Sequence, residues 1–144
     1  MTFAYFDTSA LIKRYVREPG SARVVSLLRR HDLLSSAITP VEIMSGLCRR
    51  RRARELSAEA FATTVSRVQS ERIRWELVEV GETVLSRAEE ILQGTVPMRA
   101  LDALHVASLM AFQAAAGIHI RFVTGDGRQR DAALLLGLDI IWIG

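Results

Sequence analysis

Phe3-Ala4-Tyr5-Phe6-Asp7-Thr8-Ser9-Ala10-Leu11-Ile12 is where the architecture of this chain becomes readable. Four apolar residues in a row read as a buried strand. Asp7-Thr8-Ser9 then offers three residues suited to the N-cap of a helix. From Ser9 to Val16 the apolar residues Leu11, Ile12, Tyr15 and Val16 fall on one helical face, and Pro19-Gly20 ends the segment. A strand running directly into a helix, with an acid at the junction, is the opening unit of an α/β protein.

The same alternation continues along the chain. Ser21 to Arg30 reads as a helix with Val24, Val25, Leu27 and Leu28 inward, and Leu33 to Ile38 as a second strand. Thr39-Pro40-Val41-Glu42 opens a third helix running to about Arg52, and Ser57 starts a fourth with Phe61, Val65 and Val68 on one face. Trp75 to Val80 alternates apolar and charged residues, as an edge strand does. A helix over Glu82–Leu92 and an apolar helix over Leu101–Ala116 lead to a strand at Ile120–Val123. After Thr124-Gly125-Asp126-Gly127 come a helix over Gln129–Leu136 and a last strand at Ile140–Ile143. Short strands alternating with helices predict an α/β fold of three layers, α/β/α, with a mostly parallel sheet between two layers of helices. The length of 144 residues, without repeat, linker or low-complexity segment, predicts a single domain over residues 1–144. The arginine-rich stretch between the third and fourth helices is the expected hinge.

Composition narrows the chemistry. Lys13 is the only lysine, against 18 arginines, so no phosphate-binding P-loop lysine exists and none follows Asp7 beyond Lys13 to serve a phosphoaspartate. Cys48 is the only cysteine, which excludes an intramolecular disulfide, a four-cysteine zinc site and an iron–sulfur cluster held by one chain. No basic, apolar leader opens the chain and no run of 18 apolar residues occurs, so a cytoplasmic protein without a membrane span is expected. The net charge of +3 hides a division: residues 1–75 hold 14 basic and 7 acidic groups, residues 76–144 hold 5 and 9. The basic half suits a polyanion such as nucleic acid, or an acidic partner.

Ligands of open α/β sheets bind beyond the carboxyl ends of the strands. Asp7 follows the first strand, Glu42 lies in the first turn after the second, Asp126 follows the strand at Ile120–Val123, and Asp102 lies near the start of the helix before that strand. Singly, each has an ordinary use. Asp7 and Asp126 can be N-caps, Thr39 and Glu42 fit a capping box, and Asp102 suits the positive end of its helix. Strand-end loops at one edge of the sheet would bring three of the four into one cleft, while Asp102, on a helix rather than at a strand end, is placed less directly. Two carboxylates about 4 Å apart repel by roughly 4 kcal/mol at an effective dielectric near 20, so the group needs a cation. No lysine lies near these acids in sequence and the arginines cluster elsewhere. An oxygen-rich, thiol-free set favours Mg²⁺ or Mn²⁺ over zinc, and a phosphodiester is the substrate such a site suits.

These residues resemble the PIN-domain ribonucleases, among them the small VapC-type toxins of type II toxin–antitoxin pairs. The resemblance rests on Phe6-Asp7-Thr8-Ser9-Ala10-Leu11, Glu42 after a strand, Leu101-Asp102-Ala103-Leu104-His105-Val106-Ala107, and Phe122-Val123-Thr124-Gly125-Asp126, in order and at matching spacing across the whole chain. It implies a five-stranded parallel sheet, a homodimer, endonucleolytic cleavage of RNA by water activated by Mg²⁺ or Mn²⁺, and neutralisation by a small antitoxin protein. By position, Asp7, Glu42, Asp102 and Asp126 would be the acidic quartet. Asp7, Asp102 and Asp126 would hold metal, with Glu42 completing the shell or orienting the attacking water. Ser9 would orient Asp7 or metal water, and Thr124 would brace the site around Asp126. Gly127 departs from the bulkier residue usual there, and with Gly125 it makes the Asp126 loop permissive. The alternative function is a PIN-like module that binds RNA or protein without cutting.

Arg49, Arg50, Arg51, Arg52 and Arg54 close the third helix, where cations suit the dipole. Five exceed that need, so they are candidates for binding RNA phosphates or an antitoxin. His105, three residues after Asp102, is expected behind the site or in the core rather than on a metal. Cys48 is expected to be small and buried, and Trp75 and Trp142 to pack. Leu11, Ile12, Tyr15 and Val16 offer more apolar surface than one core requires, enough for a partner helix or a second copy.

Overall fold

The computed structural model describes residues 1–144. Five parallel strands form one sheet: β1 (Thr2–Phe6), β2 (His31–Ser36), β3 (Glu76–Val78), β4 (Arg121–Thr124) and β5 (Ile140–Trp142), in the order β3-β2-β1-β4-β5. The order reverses between β1 and β4, where Tyr5 lies opposite Phe122 and Phe6 opposite Val123. That reversal is the switch point at which α/β sheets open a cleft.

Seven α-helices cover the two faces: α1 (Thr8–Leu11), α2 (Ser21–Arg30), α3 (Thr39–Arg52), α4 (Ala58–Glu71), α5 (Glu82–Gln93), α6 (Ala100–Ala116) and α7 (Gly127–Leu135). Alternation along β1 builds a core on each side. Ala4 and Phe6 point to one face, with Leu11, Val24, Ile43, Leu47 and Val68 of the first four helices. Tyr5 points to the other, with Leu34, Phe122 and the α5–α6 residues Val84, Ala88, Val106 and Leu109. Each fully buried Leu, Val or Phe contributes about 1.5–3 kcal/mol relative to exposure, so the fold rests on these two cores. The three-layer α/β/α architecture is the one the alternation of elements predicts. No helix is long and apolar enough to cross a membrane.

Several local expectations are corrected. The second strand occupies His31–Ser36 and stops before Ile38, because Ser36 Oγ accepts from the Ile38 amide and turns the chain into α3. The first helix is one α-turn continued by a 3₁₀ turn over Ile12–Arg14. Leu11, Ile12 and Tyr15 are buried within the chain's own core and Val16 packs against it, so no surplus apolar face remains there for a partner helix. Trp75 ends the 3₁₀ turn before β3 rather than lying in a strand, although it does pack on the core. Cys48 is only half-buried. The segment after α3 is tied down: with Arg54 at φ 61°, the Arg54 and Glu55 amides donate to the Arg51 and Arg50 carbonyls. This is a Schellman closure that places an arginine where glycine is usual.

A salt-bridge cluster ties the turn after α1 to α4. Glu71 accepts from Arg14 Nε at 2.9 Å and from Arg67 Nε at 3.2 Å. Burial pushes the Glu71 carboxyl up, but the bonds and charges of Arg14 and Arg67 outweigh this and hold it below its ordinary value. A carboxylate with a depressed folded pKa stabilises above its unfolded pKa, near 4.3, and loses that contribution as pH falls through the folded value. Glu71→Gln should therefore melt below the parent at pH 7, by about 1 kcal/mol or less given its exposure. At pH 3 the gap should shrink. Thermal melts at the two pH values check it, and an equal gap at both contradicts it.

Candidate active site

Asp7 leaves the end of β1 and its amide donates to the Val123 carbonyl, which extends the β1–β4 ladder by one step. Its side chain then caps α1: Oδ1 accepts from the Ala10 amide at 3.0 Å and from Ser9 Oγ at 2.6 Å, while Oδ2 accepts from Thr124 Oγ1 at 2.6 Å. Burial pushes the Asp7 carboxyl above its ordinary value, and these donors offset only part of the cost. The N-cap use and the site use coincide, since the bonds that start the helix also fix the carboxylate in the cleft.

Glu42 does not close a capping box. α3 begins after Ile38, with no side-chain cap, and Thr39 Oγ1 pairs with Ser35 Oγ. The Glu42 carboxylate turns instead into the cleft, where Oε1 accepts from Thr8 Oγ1 at 2.7 Å and meets His105 Nε2 at 2.7 Å. Burial pushes Glu42 up, yet these bonds outweigh it and hold the carboxyl below its ordinary value. His105 is buried and its Nδ1 lies 2.8 Å from the Tyr5 hydroxyl.

Asp102 sits in the first turn of α6 and its carboxylate accepts no hydrogen bond from the protein. Partial burial, then the charge of Asp126, push it up. Asp126 caps α7, with Oδ1 accepting from the Arg128 and Gln129 amides, and its own amide donates to Thr124 Oγ1 at 3.1 Å. This overturns the expectation of a permissive loop: hydrogen bonds through Thr124 and Asp126 hold it on both sides, and α7 starts at Gly127 itself. Gly125 packs closely under Lys13 and Ile143: a Cβ there would stand 2.7 Å from Lys13 Cε and 2.9 Å from Ile143 Cδ1, side-chain ends that would have to move aside.

All four acids line one cleft of about 340 Å³, together with Thr8, Ser9 and His105. No three of the acidic and histidine side chains are drawn into a ready-made metal cage; they ring the cleft rather than converge. The rim corrects a further expectation. Lys13, Arg49 and Arg50 line the same cleft, so cations do face the acids. Lys13 lies four residues after Ser9, one helical turn on, and that spacing is its signal in the sequence. Lys13 and Arg50 are both held by Glu18, at 3.1 and 3.0 Å. Arg51, Arg52 and Arg54 do not line the cleft. Glu18 carries no sequence signal of its own and Thr8 only its place in the strand-end motif, whereas His105 lies behind the acids as its spacing from Asp102 suggests.

An open parallel sheet with carboxylates gathered beyond its carboxyl edge defines the class: the chain belongs to the PIN-domain family, whose model matches residues 4–135. Among individual proteins it is similar to ribonuclease VapC46 of Mycobacterium tuberculosis, at 34% identity over 143 residues and 98% of each chain. The fold is shared with FitAcB from Neisseria gonorrhoeae, at a TM-score of 0.72, 19% identity and 96% of each chain. It is shared too with a toxin–antitoxin complex from Klebsiella pneumoniae, at a TM-score of 0.64 and 15% identity, over 96% of this chain and 95% of that one.

Proposed function

We propose that this protein is a divalent-metal-dependent endoribonuclease acting as the toxin of a toxin–antitoxin pair. The observation that carries the reading is the meeting of Asp7, Glu42, Asp102 and Asp126 around one cleft with a basic rim. Similarity to a protein named as a ribonuclease supports the reaction. The structural likeness to a toxin–antitoxin complex supports a small antitoxin as partner. Pairing with a second copy belongs to the same reading, and exposed Leu101, Leu134 and Leu135 offer apolar surface for it.

The donor set fits Mg²⁺ or Mn²⁺. It is all oxygen, and Asp102 is pushed up by burial and by Asp126, a cost that a cation offsets. Carboxylates that ring a cleft suit an ion that keeps several waters and takes substrate phosphate oxygens into its shell. Asp7, Asp102 and Asp126 would hold it. Bound there, the cation supplies Lewis acidity toward the phosphodiester and makes water a stronger nucleophile at neutral pH. Ser9 and Thr124 keep the Asp7 carboxylate aimed, and Thr124 also fixes the Asp126 amide. Glu42 Oε2 has no protein hydrogen bond and is free to orient the attacking water. Arg49 and Arg50 receive phosphates of the RNA at the rim.

The decisive experiment incubates purified protein with total RNA in Mn²⁺ and in EDTA and maps the ends. Cleavage in Mn²⁺ that EDTA abolishes is expected. Cleavage indifferent to EDTA overturns the metal, and RNA binding without cleavage makes the protein a non-catalytic module.

Arg49 is the cleaner probe of the rim, because it is exposed and bonds only Ser45 Oγ within its own helix. Arg49→Ala should leave stability within about 0.5 kcal/mol. It should weaken RNA binding across sequences and lower the slope of log K against log salt by about 0.7 for each phosphate that the arginine neutralises. Arg52→Ala, outside the cleft, should do neither. Binding measured at several salt concentrations separates them, and equal effects at both positions contradict the assignment.

A further inference from the structure

The cleft has a buried back wall that the acidic residues alone do not explain. Tyr5, His105 and Glu42 form a chain of hydrogen bonds running from the inside of the sheet to the cleft. Tyr5 is fully buried, stacked on Phe122 at 5.3 Å between ring centroids, and its hydroxyl bonds His105 Nδ1. His105 Nε2 faces two oxygens, Glu42 Oε1 at 2.7 Å and Thr8 Oγ1 at 3.3 Å. The Thr8 proton is given to Glu42, so both oxygens are acceptors toward the ring.

We infer that Tyr5 and His105 are positioning residues for Glu42: the Tyr5 hydroxyl anchors the His105 ring at Nδ1, and His105 Nε2–H fixes the Glu42 carboxylate. The inference rests on the nuclease reading above and extends it to two residues outside the acidic quartet. Donors and acceptors balance in one arrangement. Two acceptors in front of Nε2 require the proton there. With the Nε2 proton in place, Nδ1 can accept, which gives the buried Tyr5 proton a partner. The opposite tautomer would set the Nε2 lone pair against the Glu42 carboxylate, a costly state in a buried site. With Oε1 held from two sides by Thr8 and His105, Glu42 keeps Oε2 for the cleft. The α3 backbone fixes where the Glu42 side chain starts, but this pair of bonds fixes which oxygen it presents.

Two measurements test the inference. Nitrogen NMR of the His105 ring reports the tautomer without any reaction. The Nε2–H form is expected in the parent protein. Kinetics then ask whether His105 acts through Glu42. Tyr5→Phe and His105→Leu should lower kcat about 10- to 100-fold, the range for partners that orient a working ligand, with KM unchanged. His105→Gln keeps a donor near the Nε2 position and should recover most of the loss. In a Glu42→Gln background His105→Leu should cost little more, because residues acting as one unit are not additive. An Nδ1–H ring, or a His105→Leu penalty as large in the Glu42→Gln background as in the parent, overturns the inference. Parent protein that cleaves no RNA overturns the nuclease reading, and the NMR result then decides the hydrogen-bond chain on its own.

Discussion

Asp7→Asn should lower RNA cleavage by roughly 10²–10³-fold or more, the scale on which loss of one preorganised electrostatic group acts, while the fold persists. The two halves of this expectation have separate causes. The Asn carbonyl can take the place of Oδ1, accepting from the Ala10 amide and Ser9, and Asn is as good an N-cap as Asp. The charge it removes is buried at a cost, since burial pushes the Asp7 carboxyl up, while the amide nitrogen that replaces Oδ2 deprives the Thr124 hydroxyl of its acceptor; the two oppose, so stability should change by about 1 kcal/mol or less. Asp7→Ala loses the cap as well and should melt lower, by about 1 kcal/mol. A cleavage gel beside a thermal melt distinguishes the cases. Cleavage at the parent level by Asp7→Asn removes Asp7 from the site.

Thr124→Val tests the bracing of the site rather than its charge. Thr124 is fully buried; its hydroxyl donates to Asp7 Oδ2 and accepts from the Asp126 amide. Valine preserves the shape and deletes both bonds, leaving a buried carboxylate oxygen short of a donor and an amide without an acceptor. A loss of about 2–3 kcal/mol is expected, together with a fall in cleavage of about 10- to 100-fold as Asp7 and Asp126 lose their shared reference point. Thr124→Ser keeps the hydroxyl and should restore activity. Denaturation curves and cleavage rates for the pair check both effects. A stable, fully active Thr124→Val would show that Ser9 and the Ala10 amide suffice to hold Asp7.

Most of the fold can be read locally. Strands at Phe3–Phe6 and Ile120–Val123, and helices over Ser21–Arg30 and Glu82–Leu92, follow from apolar runs and helical spacing, which are properties of neighbouring residues. Errors fall where a side-chain bond outside that pattern intervenes. Ile38 reads as strand until Ser36 turns the chain, and Gly127 reads as loop until Asp126 caps a helix on it. The face of Leu11, Ile12 and Tyr15 reads as surplus because helical spacing does not reveal that α2, α3 and α4 close over it.

The candidate site divides the same way. Sequence places Asp7, Glu42 and Asp126 near one edge of the sheet, because strand-end positions in an α/β chain converge there; Asp102, in the first turn of a helix, joins them in sequence only through the motifs that resemble one family, and the structure brings all four to one cleft. Sequence is also sufficient to set aside P-loop, disulfide and iron–sulfur chemistry, since absent residues stay absent in any fold. Tertiary structure was needed to bring Lys13, Arg49 and Arg50 to the rim of that cleft and to leave Arg51, Arg52 and Arg54 outside it. It was needed as well to turn Glu42 from its own helix end toward His105, 63 residues away along the chain and 2.7 Å away in space. The reason is physical. A carboxylate in the first turn of a helix can satisfy its own backbone or a neighbour's donor, the two differ by little in energy, and packing chooses between them.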